Sequence, residues 1–405
     1  MLLLATKVWE QRKLLSNIEN IIDYRGKTPK KLGLSWNGER EYPALSAINV
    51  ENGKINLSKT EHFGDAYLFS KWMKKALKLG QVILTTEAPV GNVAQINEKK
   101  HYILSQRVIA FETDKNLLDD FLYFLLQRNN STLLRYSTGG TAKGISQKSL
   151  KQVKVNLTPN ISEQKQISLL LNVVKNLITL YERKLKLLSQ VKKYFLDNLF
   201  TEKEYPNLRF KGFTDAWEQR KLGQVGKTQS GVGFPNEEQG GLEGIPFFKV
   251  SDMNNPGNEY EMVNANNYVK DDQLARKKWH PIKSVPAVIF AKVGAAIMLN
   301  RKRLVTRPFL IDNNSMAYIF DDSWDINFGK NIFETINLPR YAQVGALPSY
   351  NGSDIQGIKI FLPRKNEQSK IGIFIMTINE IITLYENKQQ HLTKIKKTLL
   401  NTMFI

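Results

Sequence analysis

The hexapeptide WEQRKL occupies Trp9 to Leu14 and recurs unchanged at Trp217 to Leu222, displaced by 208 residues. A second echo, ITLYE, runs from Ile178 to Glu182 and again from Ile382 to Glu386, displaced by 204. Each copy follows a Glu-Gln pair, Glu163–Gln164 and Glu367–Gln368. A period of half a 405-residue chain means one fold written twice. Weaker matches fill the frame: Pro43 with Pro246, Val90-Gly91 with Val293-Gly294, and LKQVKVNLTP (Leu150 to Pro159) with DIQGIKIFLP (Asp354 to Pro363). The ends agree and the middles do not, as expected of two copies that read different ligands or of neutral drift in surface loops.

Each copy closes on a long helix. In the first, Ile167, Leu171, Val174, Ile178, Tyr181, Leu185, Leu188, Phe195 and Leu199 follow a 4-3-4-3 spacing, with Val191 one place early. In the second, Ile371, Ile375, Ile378, Ile382, Tyr385, Leu392, Ile395, Leu399 and Met403 do the same, and Gln389 stands where Leu185 stands in the first. This is coiled-coil spacing. Both stretches begin just after a proline, Pro159 and Pro363, and contain none. About 38 residues make a rod of roughly 57 Å, whose apolar stripe needs a partner. Ahead of each helix, Leu14 to Asn156 and Leu222 to Ile360 read as mixed α and β. QVILTT (Gln81 to Thr86), VIAFET (Val108 to Thr113), PAVIFAKVG (Pro286 to Gly294) and MAYIF (Met316 to Phe320) predict strands, and Leu117 to Gln127 predicts a helix. The fold class is α+β: two globular mixed α/β domains and two long helices in an internal repeat. Glu202 to Trp217, polar and Pro-containing, suits a linker.

Lys and Arg total 58 against 38 Asp and Glu, a formal net charge of +20, and the pI near 9.7 points to a polyanionic partner. The helical segments, Ile161 to Phe200 and Lys365 to Ile405, carry 7 basic with 3 acidic and 6 basic with 3 acidic residues. They therefore supply +7 of the +20, and most cationic surface belongs to the globular domains. No window approaches 18 consecutive apolar residues, so a membrane span is not expected, and the opening MLLLATKVWEQRK lacks a secretory pattern. Cysteine is absent and His62, His101, His280 and His391 are scattered, which excludes thiolate chemistry and makes a metal site improbable. The absence of cysteine fits a cytoplasmic protein.

Side chains able to meet phosphates or base edges are interleaved with this charge. Candidates for DNA contact in the first copy are Tyr24, Arg25 and Lys27, Ser46 and Asn49, Thr85, Thr86 and Glu87, and Thr138, Thr141 and Lys143 of the loop STGGTAKG. In the second they are Gln229 and Ser230, Lys249, Ser251 and Asp252, Lys292, Arg301, Arg303 and Arg307, and Tyr350.

Catalytic motifs fail where they are sought. GKT occurs at Gly26 to Thr28 and Gly226 to Thr228, but the glycine that a Walker A loop needs five residues earlier is Ile21 or Lys221. No G-x-G-x-x-G follows a strand, and no Asn-Pro-Pro-aromatic or Asp-Pro-Pro-aromatic tetrapeptide is present. E-x-K at Glu98 to Lys100 has no Pro-Asp companion, and neither G-x-S-x-G nor H-E-x-x-H occurs.

The chain resembles the specificity subunit of type I restriction-modification enzymes. The resemblance rests on the domain-helix-domain-helix order, on LRF-x-GF-x-x-x-W-x-x-x-x-L at Leu208 to Leu222, and on the helix starts SEQ and NEQ followed by ITLYE. It implies target-recognition domains at 1–156 and 205–360, with spacer helices at 157–204 and 361–405 packed antiparallel. Each domain would read one half of a bipartite asymmetric site in double-stranded DNA. It further implies no catalysis by this chain and no cofactor of its own. Two methylation subunits would bring S-adenosylmethionine chemistry, and two restriction subunits ATP, Mg and cleavage. Under this architecture a four-residue insertion in one helix is expected to shift one domain by roughly 6 Å, about two base-pair steps; unchanged half-site spacing would refute the ruler. The first copy begins MLLLATKVW and lacks the LRF-x-GF part of the lead-in. Competing readings are a nucleic-acid binder without sequence preference, a self-contained methyltransferase or nuclease, and a coiled-coil scaffold.

Overall fold

The structure is a computed structural model that describes residues 9–404 apart from 37, 39, 40, 52, 141, 142 and 344–346. The chain divides into two compact units, one holding the residues up to Glu182 together with those from Lys388 onward, the other Arg183–Asn387. Each unit therefore combines one globular domain with stretches of both long helices.

The first domain is built on a four-stranded antiparallel sheet in the order Ile18–Asp23, Val108–Thr113, Val82–Thr85, Val93–Gln95. The second repeats the order with Gly226–Ser230, Ser315–Phe320, Ala287–Ala291 and Lys302–Val305. Val82–Thr85 and Ala287–Ala291 are buried at every position, so they read as continuous apolar runs and not as an alternation. A helix covers each sheet, Asp119–Arg128 in the first domain and Ile326–Thr335 in the second. A smaller three-stranded sheet accompanies each: Phe63–Gly64, Tyr42–Leu45, Ile103–Leu104, and Tyr268–Val269, Ile245–Phe248, Leu310–Ile311.

The repeated motifs have separate structural duties. WEQRKL supplies the strand Glu10–Lys13, antiparallel to Lys154–Leu157, and the strand Glu218–Lys221, antiparallel to Lys359–Leu362. It ties the start of each domain to the residues just before its long helix. The glutamine of each Glu-Gln pair is fully buried and welds that helix to its domain. Gln164 Nε2 donates to Asn116 O and Thr158 O, both at 2.9 Å, and its Oε1 accepts from Leu118 N at 3.0 Å. Gln368 does the same with Ser323 O, Pro363 O and Asp325 N at 3.0, 2.9 and 2.9 Å.

The long helices run Ile161–Leu199 and Lys365–Met403. In the first unit Ile167 and Leu171 share a core with Phe121 and Phe404, against which Leu399, Leu400 and Met403 pack. In the second, Leu199 and Phe200 share a core with Ile371, Ile375 and Ile378, with Phe195 and Ile382 against it. Within each unit the start of one helix lies beside the end of the other, which makes the pairing antiparallel. Val174 is buried, and Ile178, Tyr181, Leu188, Tyr385 and Leu392 are half-buried, continuing the seam. Val191 is out of step because Lys192 takes the seam position, where burial lowers its ammonium pKa against the pull of Glu386. Gln389 Nε2 reaches Glu182 Oε1 at 3.5 Å.

The ends of the helices close the two cores alike. Phe404 lies 5.0 Å from Phe121, with Trp9 6.1 Å from the same ring, and Phe200 lies 5.1 Å from Phe328, with Trp217 5.9 Å away. The differing lead-ins show in the glutamates beside them. Arg209 of the LRF segment pairs with Glu367 at 2.7 Å, and Trp217 Nε1 is left buried without a partner among the described residues. In the first copy Glu163 accepts from Trp9 Nε1 at 3.2 Å.

Two lysines are enclosed in the second domain. Lys302 is 1% exposed, donates to Ile336 O at 2.8 Å, and is pushed down to about 8 by burial. Lys330, also buried, pairs with Glu334, and its pKa is lowered well below the ordinary lysine value, first by burial. The folded pKa of Lys302 lies below the ordinary value of about 10.4, so folding expels its proton between these values and stability rises with pH there. Denaturant unfolding of the second unit is expected to strengthen by roughly 2 kcal/mol between pH 7.5 and 9.5 from this group. Lys302→Met should abolish that part of the rise; an unaltered slope would refute it.

Candidate nucleic-acid interface

In the first domain the strand Val82–Thr85 leaves the sheet into a loop that meets two others. Glu87 bridges to Gly144, and Gly144 bridges to Thr138 through paired backbone hydrogen bonds of 2.8 Å. Thr86 N donates to Arg107 O at 2.9 Å, joining the segment that leads into Val108–Thr113. Beside this junction lies an open cleft of about 590 Å³, lined among others by Lys27, Trp36, Ser46, Lys59, His62 and Arg107.

The second domain builds the same junction from different residues. Val293 bridges to Ser349, Ser349 to Gln343, and Lys292 N donates to Asn314 O at 2.8 Å. Thr86, Glu87 and Arg107 thus correspond to Lys292, Val293 and Asn314. This pairing corrects the sequence match of Val90-Gly91 with Val293-Gly294, which is slipped by three residues.

The candidate contact residues divide by exposure. Lys27 and Ser46 are half-buried on the cleft wall, Glu87 is half-buried, and Thr138 and Lys143 are exposed; Thr141 lies outside the described residues. In the second domain Gln229, Ser230, Ser251 and Arg307 are exposed, and Lys249, Lys292 and Arg301 half-buried. Lys249 Nζ is bonded to Gln239 Oε1 at 3.2 Å, Arg301 to Asn254 Oδ1, and Arg307 Nη2 to Val263 O at 2.7 Å.

Other candidates are buried or already bonded within the protein, where they support the fold. Asn49 and Asp252 are fully buried at equivalent turns, accepting from the backbone N–H of Ser46 at 2.9 Å and of Lys249 at 3.0 Å. Burial raises the Asp252 pKa. Thr85 Oγ1 is enclosed and accepts from Asn92 N at 2.9 Å, and Thr86 is enclosed beside it. Tyr24 is buried, its hydroxyl accepting from Lys74 N at 3.1 Å while Lys27 Nζ sits 4.5 Å above its ring. Tyr350 is buried against Phe290. Arg303 is spent on the carbonyls of Lys302 and Met253, and burial lowers its pKa.

Arg25 is locked on Asp23 at 2.5 Å and donates to Ile145 O at 3.3 Å, while Gln147 Nε2 reaches the same carboxylate at 2.8 Å. Burial pushes the Asp23 pKa up, but the bonds from Arg25 and Gln147 together hold it below the usual range. Arg25 therefore pins the loop at Ile145 and Gln147 to the sheet. Arg25→Ala, which strands a half-buried carboxylate, is expected to cost roughly 1–3 kcal/mol and to expose this loop to protease; limited proteolysis unchanged from the parent would count against it.

Arg107 was not among the sequence candidates. It is exposed, adopts φ +64, and its Nε lies 3.1 Å from Glu87 Oε2. Ala88 beside it adopts φ +46, so two of the four described non-glycine residues at positive φ stand at one rim. Each costs on the order of 1 kcal/mol, whereas an exposed ion pair returns at most about 1 kcal/mol. The only sequence signal was a cation immediately before a buried strand.

No helix among the described residues is long and apolar enough to cross a membrane, and these residues hold no cluster of His, Asp and Glu suited to a metal.

The family model of the type I restriction modification DNA specificity domain matches the chain twice, over residues 8–190 and 214–394. The MjaVIII type I restriction enzyme specificity subunit of Methanocaldococcus jannaschii is 23% identical over 380 residues, covering 89% of this chain and 88% of that protein. The putative MjaX specificity subunit of the same organism is 24% identical over 423 residues, covering 98% and 92%. The crystal structure of the type I restriction-modification S subunit from M. genitalium has a similar fold, with a TM-score of 0.65 at 15% identity over 100% of this chain and 98% of that one. Two copies of one sheet order, two long helices and a double family match agree: the chain belongs to the type I restriction-modification DNA specificity family.

Proposed function

We propose that this chain is the non-catalytic DNA-reading and assembly subunit of a type I restriction-modification complex in the cytoplasm. Domains 1–156 and 205–360 each read one half of a bipartite asymmetric site in double-stranded DNA. Helical segments 157–204 and 361–405 join them and dock two methylation subunits; two restriction subunits complete the complex. S-adenosylmethionine, ATP and Mg belong to those partners. The observation that carries this reading is the repeated loop junction, identical in backbone pairing and different in side chains, as two half-sites of different sequence require.

Docking is supported by a second stripe on the first long helix. Leu170, Val173, Leu177, Leu180, Leu187, Val191 and Tyr194 keep 3-4 spacing, and all are exposed, from 38 to 60%. They lie off the buried seam, so a further helix can seat on them. On the second long helix Ile381 and Leu384 are exposed at the corresponding places.

The test is co-expression with the cognate methylation subunit and single-molecule sequencing of modified adenines across a genome. Two short defined blocks separated by a fixed unspecified gap are expected. Methylation at one undivided motif would overturn the two-domain reading.

A further inference from the structure

We propose that Arg107 and Glu87 together read one G·C pair through the major groove, and that Asn314 and Val293, at the corresponding positions of the second domain, read an A·T pair. This rests on the DNA-reading function above and assigns its chemistry.

The argument starts from hydrogen-bond order along a base-pair edge. A G·C pair presents two acceptors, guanine N7 and O6, and then the cytosine N4 donor. The guanidinium of Arg107 is a forked double donor, and the Glu87 carboxylate beside it is an acceptor, held 3.1 Å from Nε. Donor, donor, acceptor is complementary to acceptor, acceptor, donor. With Nε on Glu87, the terminal nitrogens of Arg107 remain to face guanine. An A·T pair would set the fork against the adenine N6 donor and the carboxylate against thymine O4. Discrimination therefore comes from two clashes as well as from lost bonds.

Location supports the pairing. Arg107 lines the first domain's cleft with its side chain 53% exposed, and Glu87, half-buried with its side chain 39% exposed, stands beside it as its ion-pair partner. Arg107 is held by its backbone to Thr86, and Glu87 by its bridge to Gly144, so both stand on backbone fixed to the sheet. Lys27 on the cleft wall is placed for a phosphate, which positions without specifying, while Lys59 nearby is paired with Glu51 at 3.0 Å.

In the second domain the same backbone pairing presents Asn314, a residue type that bonds adenine N6 and N7, and Val293, an apolar group suited to the thymine methyl. Asn314 is exposed, and its Nδ2 is 3.2 Å from Asp312 Oδ2. The two domains thus offer complementary answers at one shared position.

The experiment moves the second domain's pair into the first. The double variant Arg107→Asn, Glu87→Val is co-expressed with the methylation subunit and its modified adenines are mapped beside those of the parent. Asn is tolerated at positive φ, so the rim keeps its shape; Arg107→Lys, with the charge but not the fork, is mapped in parallel. The parent is expected to show an invariant G·C in one block. In the double variant that position should change to A·T or lose its preference, with discrimination of about tenfold or more falling to near unity. In Arg107→Lys it should weaken. The other block and the gap should stay as they were. A G·C retained at full strength in both variants, or a parent whose blocks contain no invariant G·C, overturns the assignment while leaving the split motif, and the function it supports, intact. A parent with no split motif instead overturns the function.

Discussion

Replacing Leu177 and Leu180 by Asp is expected to leave both units folded and to abolish co-purification with the methylation subunit. Both leucines are exposed, at 38% and 45%, on the outer stripe of the first long helix, each one residue before a seam position, Ile178 and Tyr181. Their loss removes nothing from the cores. Burying each against a partner helix contributes roughly 1.5–3 kcal/mol, and a desolvated carboxylate in its place adds a penalty. A fall in affinity of at least about a hundredfold follows. Circular dichroism and denaturant midpoints should match the parent while the partner no longer elutes with the chain. Retention of the partner by the double variant would move docking to another surface.

The largest effect on stability is expected at Phe404. Its ring, 4% exposed, fills the first unit's core between Trp9 and Phe121, at centroid distances of 5.9 and 5.0 Å. Phe404→Ala removes this contact at the end of the second repeat's helix and should destabilise the first unit by about 3–5 kcal/mol. Phe200→Ala should do the same to the second unit, since Phe200 stands in the matching place on Phe328. Hydrogen exchange resolved by peptide separates the outcomes. The Phe404 variant should lose protection in Asp119–Arg128, and the Phe200 variant in Ile326–Thr335. Equal losses in both units from either variant would contradict the division of the chain.

What the sequence made legible was what has a period. The repeated hexapeptide and the 4-3 stripes are written in spacing, and spacing survives the replacement of one apolar residue by another. The buried strands were legible for a related reason: Val82–Thr85 and Ser315–Phe320 are apolar because both faces are covered. The Glu-Gln pairs were visible as letters, but their role was not. It depends on carbonyls such as Asn116 O and Ser323 O, which the fold brings within 3.0 Å.

The interface was less legible because loops have no period. Asn49, Thr85 and Asp252 carry side chains suited to bases, yet they serve turns, where short polar side chains bond the local backbone. Arg25 is a guanidinium consumed by a neighbour two residues away. Arg107 passed unnoticed because its exposure follows from a backbone conformation, and its partner Glu87 is twenty residues distant in sequence. Position relative to the sheet, not residue type, decides which polar side chains face outward.

The crossing of helix ends between repeats also fixes an order in time. When the first domain leaves the ribosome, the partners of Ile167 and Leu171 near Leu399 and Phe404 have not been made. At roughly 5–20 residues per second, the intervening stretch of chain takes on the order of 10–45 s to synthesise. Throughout that interval the first domain waits with an apolar seam bare, and the second unit, whose parts lie between Arg183 and Asn387, can close before it. The domain translated first is the one finished last, and a nascent chain of this design spends its most aggregation-prone period beside copies of itself on the same polysome.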